Sequence, residues 1–102
     1  MEATTTPGYE IELFGIKEAM FIVTTNKDLY DWITEDGVMP DYVKEVEDYD
    51  YIEDWNDRAL FAGMISDAFP DKVQYFYDRK EYQKHLTVNN ISIEDSTEGS
   101  IY

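Results

Sequence analysis

The sequence predicts an α+β domain: a small, mainly antiparallel sheet, built from an N-terminal hairpin and two later strands, with three to four helices packed on it. Three observations lead there. Apolar side chains alternate with acids at Tyr9, Ile11 and Leu13, then run unbroken from Ala19 to Val23, the patterns of an outer and a more central strand. Between Leu29 and Phe69 the apolar spacing changes to three and four residues, the period of a helix face. Alternation returns at Lys72–Tyr77 and at Val88–Glu94. With 102 residues, 43% hydrophobic and 16% aromatic, the chain has apolar side chains enough for one core and too many for a disordered segment.

Taken in order, residues 1–8 read as a flexible arm, because Thr4-Thr5-Thr6-Pro7-Gly8 has no periodicity, and residues 9–94 read as one domain. Tyr9–Phe14 and Ala19–Thr25 make the hairpin across a turn at Gly15–Glu18. Thr25 or Asn26 caps a first helix, with Asp28 in its first turn and Leu29, Trp32 and Ile33 on its inner face. Gly37 suits the position just after it. Pro40 opens a short second helix that turns Tyr42, Val43 and Val46 inward. The third and longest helix runs from about Asp50, capped by Asp48 or Asp50, to Phe69, where Pro70 stops it. Its inner stripe is Ile52, Trp55, Ala59, Ala62, Ile65 or Ser66, and Phe69, broadened by Leu60, Phe61 and Met64; the small Ala59, Ala62 and Gly63 admit a close neighbour. After the third strand, Asp78 with Glu81 three residues on is a capping box for a last helix. That helix holds the one basic cluster, Arg79, Lys80, Lys84 and His85, expected to pair with acids of its own chain. Asn89-Asn90 is placed to bulge or break the last strand, and residues 95–102 read as a flexible tail.

The chain carries 23 acids against 8 bases, a formal charge of −15. Nucleic acid and anionic lipid repel such a surface, so neither direct nucleic-acid binding nor membrane association is expected, and a basic protein is the expected partner. No apolar run approaches the ~20 residues of a bilayer span. The first ten residues lack the basic and apolar regions of a signal peptide. The absence of cysteine removes disulfides, thiolate metal sites and Cys nucleophiles, and fits the cytoplasm.

Catalytic patterns are missing too. The single histidine, His85, reads as a capping or solvated residue at a helix end. Ser66, Ser92, Ser96 and Ser100 lie in no nucleophile elbow, and five scattered glycines make no phosphate loop. Asp48–Asp54 opens like a calcium loop, but Ile52 stands where an oxygen ligand belongs and Glu53 where the turn glycine belongs. The expectation is a protein that is not an enzyme and takes no cofactor and no metal.

The informative stretch is Glu35–Asp57. It holds ten acids and one base, Lys44, and so carries −9 of the formal −15. The candidate partner-binding residues are Glu35, Asp36, Asp41, Glu45, Glu47, Asp48, Tyr49, Asp50, Glu53, Asp54 and Asp57. Solvated faces usually mix signs, and this one does not, although a halophilic surface is a competing reading. Asp50, Glu53 or Asp54, and Asp57 fall on one stripe of the third helix, their carboxylates roughly 5–6 Å apart, comparable with phosphates along a strand. Tyr42, Tyr49 and Tyr51 could stand for base contacts or anchor an interface.

In physical type the chain resembles small, cysteine-free, very acidic α+β inhibitors such as phage anti-CRISPR and antirestriction proteins. That resemblance implies a DNA mimic acting in the host cytoplasm on the basic nucleic-acid channel of a nuclease or effector. The alternative is an acidic interaction module, an immunity, antitoxin or adaptor protein, that binds a basic partner outside its nucleic-acid site.

Overall fold

A computed structural model of the chain describes residues 5–15, 18–35, 37–46 and 55–100, with residues 55–57 and 100 in backbone only. Along these residues the elements are β1 (Thr6–Phe14), β2 (Ala19–Thr24), α1 (Lys27–Glu35), a 3-10 turn (Asp41–Glu45), α2 (Trp55–Ala68), β3 (Val73–Phe76), α3 (Arg79–Val88) and β4 (Ile91–Ser100). The class is α+β, as the sequence predicts.

The strands form one sheet in the order β3-β2-β1-β4. The expected hairpin is present: β1 and β2 pair antiparallel, and the Gly15 N–H donates to the Glu18 carbonyl at 2.8 Å to close the turn. β3 joins β2 antiparallel, while β4 pairs parallel with β1. The sheet is therefore mixed, and mainly antiparallel as expected.

Two boundaries differ from the sequence reading. β1 begins at Thr6 and β4 runs to Ser100, so residues assigned to the arm and to the tail carry strand. α3 reaches Val88, and Asn90, at φ 55°, turns the chain into β4; the Asn pair breaks the segment expected as a strand from Val88. Glu94, Asp95, Ser96 and Glu98 lack the apolar alternation that marks a half-buried strand. What makes them a strand is the ladder with β1, which satisfies backbone groups of both. At the start of this ladder Gly8 passes so close to Ile91 that a Cβ there would collide with the Ile91 methyl.

Helices cover both faces of the sheet. Register places Ile11, Leu13, Met20, Ile22, Thr24 and Val73 on the same face. Onto it pack Leu29, Tyr30, Trp32 and Ile33 of α1, Val43 of the 3-10 turn with Val46 just after it, and Ala59, Phe61, Ala62 and Ile65 of α2, making the main core. Leu60 and Met64, expected to broaden the inner face of α2, instead turn outward, 39% and 43% exposed. The opposite face carries a smaller cluster, Phe21 and Val23 under Tyr82 of α3.

Side chains finish the helix ends. Asn26 Oδ1 accepts the Leu29 N–H at 3.4 Å at the start of α1, and Asp78 Oδ1 accepts the Lys80 N–H at 2.8 Å at the start of α3. At the other end of α1 the buried Arg58 donates from Nε to the Ile33 carbonyl at 3.3 Å, placing a cation where the last carbonyls lack helical partners.

Candidate protein-binding surface

Of the residues assigned to partner binding, the described ones lie on three elements. Glu35 ends α1 and is exposed. Asp41 and Glu45 begin and end the 3-10 turn, also exposed. Asp57 belongs to the first turn of α2. Asp36, Glu47, Asp48, Tyr49, Asp50, Glu53 and Asp54 lie outside the described residues, as do the expected cap of the longest helix and the calcium-like sequence.

Pro40 sets the entry to the 3-10 turn in extended conformation (φ −60°, ψ 144°), and the Val46 N–H returns to the Val43 carbonyl at its end. Burying Val43 and Val46 turns Asp41, Lys44 and Glu45 to solvent. Gly37 closes α1, its N–H donating to the Asp31 carbonyl at 3.2 Å. Between α1 and this segment lies an open cavity of about 550 Å³ lined by Asp28, Asp31, Asp41, Val38, Met39, Pro40 and Tyr42. Val38 is 90% exposed beside the three acids.

Among the described residues, few bases pair with this surface. Lys27 pairs with Asp31 at 2.9 Å, and Lys44 stands 3.9 Å from Asp41. These are the ion pairs among the described residues, both at the water interface, where such pairs are weak. Glu35 and Glu45 have no cation within that reach among the described residues. Lys72 lies over the Tyr42 ring at 5.2 Å, and Arg79 over the Phe21 ring at 4.8 Å. Lys80 and Lys84 are exposed and make no ion pair among the described residues, while Arg79 acts on Glu12 through its charge. Burial, with the charges of Asp28 and Asp71 added, pushes the Tyr42 hydroxyl up to about 12, and its oxygen is buried without a described partner.

On the opposite face lies a polar network the sequence did not announce. Glu10 accepts hydrogen bonds from the Tyr82 hydroxyl and, at 2.8 Å, from the Ser96 hydroxyl. Burial and then the neighbouring Glu10 raise the Glu12 carboxyl above its ordinary value, Arg79 partly opposing them. These partners are 72 and 86 residues from Glu10 in sequence, beyond any local pattern. The network ties α3 and β4 to β1, and its carboxylates are occupied by structure.

His85 is neither solvated nor a cap. It packs half-buried against Phe76, ring centroids 5.1 Å apart, and burial lowers its pKa from the usual 6.5. Its Nδ1 is 3.2 Å from the Asn89 side-chain nitrogen, and its Nε2 is buried without a described partner. Among the described residues no three His, Cys, Asp or Glu side chains converge as metal ligands, and no helix is long and apolar enough to cross a membrane. Comparisons with protein-family models, curated proteins and solved structures give no match.

Proposed function

We propose that this chain is a non-enzymatic acidic inhibitor acting as a DNA mimic, of the anti-CRISPR or antirestriction type, whose carboxylates occupy the basic nucleic-acid channel of a nuclease or effector. One observation carries the reading: in the most acidic stretch Glu35, Asp41 and Glu45 face water, and among the described residues only Lys44, 3.9 Å from Asp41, stands within ion-pair reach of them. Uncompensated like charges cost self-repulsion in the folded state, and a basic channel relieves it.

The test is capture of partners on the immobilised protein from a host lysate at low salt, followed by challenge with excess DNA or RNA. Release of a nucleic-acid enzyme by nucleic acid is the expected result. Charge reversal at Glu35, Asp41, Glu45 and Asp57 should abolish capture and leave the melting temperature unchanged or higher. Capture that survives these reversals removes the acidic surface from the argument.

The second reading, an immunity, antitoxin or adaptor module, is favoured by Val38. A phosphate mimic needs charges alone, whereas an exposed apolar residue beside acids resembles the core and rim of a protein interface. Under this reading nucleic acid does not release the partner, and Val38→Ser weakens capture as much as a charge reversal does.

A further inference from the structure

β4 ends the sheet, so one of its edges has no strand beside it among the described residues. The edge is not uniform. Gly8 faces Ile93 and Tyr9 faces Asp95, which leaves Glu94 as the extra residue of a bulge. Beyond it Asp95–Ser100 pairs one to one with Tyr9–Phe14, with no proline and no further register shift.

This six-residue stretch is also fixed from both sides of the sheet. The Thr97 hydroxyl is 2.6 Å from that of Tyr30 in α1. The Ser96 hydroxyl donates to Glu10, which Tyr82 of α3 holds from the same face. An edge already ordered by its own protein loses little entropy when another strand joins it.

Charge selects what joins. Asp95 and Glu98 are exposed, and register places them on opposite faces of the sheet. A second copy would set its own acidic edge against this one, with a formal −15 on each chain, and like charges across a strand pair repel. A strand with lysine or arginine on both faces meets an acid on each side.

We propose that the Asp95–Ser100 edge accepts an extended, lysine- or arginine-rich segment of the protein partner as a fifth strand, bound through backbone hydrogen bonds and flanked by Asp95 and Glu98. This rests on the basic-partner reading above and adds a second point of attachment, away from the 3-10 turn.

The probe is an end-blocked peptide of repeating Lys-Lys-Val-Val, which sets lysine on both faces of a strand, added to the whole chain while amide hydrogen exchange is followed residue by residue. Exchange should slow at alternate residues of Asp95–Ser100. Two further peptides carry N-methyl groups on one or the other alternate set of amides, with charge unchanged. One of them should bind about ten-fold more weakly, the loss of one or two net hydrogen bonds, and the other like the parent. The same peptide with glutamate in place of lysine should not bind, and the Asp95→Lys, Glu98→Lys double variant should reverse the preference between the lysine and the glutamate peptide. Equal binding of both methylated peptides, protection at the 3-10 turn in place of β4, or self-association through β4 overturns the proposal. Because the peptide experiment reads β4 alone, it fails or succeeds independently of partner capture at Asp41 and Glu45.

Discussion

The two faces of the sheet are built on different physics. The face under α1 and α2 buries a continuous apolar cluster from six elements. The face under α3 buries Phe21, Val23 and Tyr82, with the Phe21 and Tyr82 rings stacked at 5.3 Å. Around that small cluster stand Glu10, Glu12, Arg79 and His85. The first face derives its stability from area removed from water, which pH does not change. The second depends in part on groups that titrate. One sheet can thus hold a pH-indifferent core on one side and a pH-sensitive one on the other.

Adjacent residues of β2 test this directly. Ile22 and Val23 are both fully buried and point to opposite faces. Ile22→Ala should cost about 2–5 kcal/mol, as truncations in rigid cores do. Val23→Ala removes fewer atoms beneath a single helix and should cost roughly 1.5–2.5 kcal/mol. Urea melts of the two variants decide the matter, and a larger loss at Val23 than at Ile22 breaks the ranking of the faces.

The next effect belongs to Tyr82. Its hydroxyl donates to Glu10, and burial and that bond together hold its own pKa far above the usual value. Tyr82→Phe keeps the ring stack and deletes the donor to a carboxylate, for a loss of roughly 1.5–3 kcal/mol. The variant should leave amide protection around Ile11 and Ile65 in place and lower it along α3. Uniform loss across the molecule would mean the two faces open together.

What the sequence disclosed follows the same division. α1 was legible because Leu29, Trp32 and Ile33 share a face and Asn26 caps them, all within one short window. The hairpin was legible from alternation in Tyr9–Leu13 and the apolar run of β2. The end of β4 was not, because its residues are polar and its reason for being a strand is β1, far away in the chain. Arg58 likewise reads as one more surface charge until the end of α1 is placed beside it. As for the candidate site, composition disclosed the charge of Glu35, Asp41 and Glu45 but neither the cavity beside them nor the exposure of Val38, which depend on how the chain turns after α1.

The smallest effects are the sharpest, because they have opposite signs on one face. The folded protein holds the Glu12 proton more tightly than the ordinary value of 4.5 implies, so the stability it contributes is full below that pH and is lost as pH rises through the raised folded value. For His85 the folded protein holds the proton less tightly than 6.5 implies, so its contribution is full above that pH and is lost as pH falls through the lowered folded value. Neither side chain is fully withdrawn from water, and each effect should be about 1 kcal/mol or less. Glu12→Gln should therefore melt above the parent at pH 7, with the advantage shrinking toward pH 4.5. His85→Gln should flatten the fall in stability below pH 6.5. Melting temperatures for the three proteins across pH 4–8 give the answer: matching curves would mean that the α3 face is as indifferent to pH as the other, and the contrast between the faces would reduce to one of size.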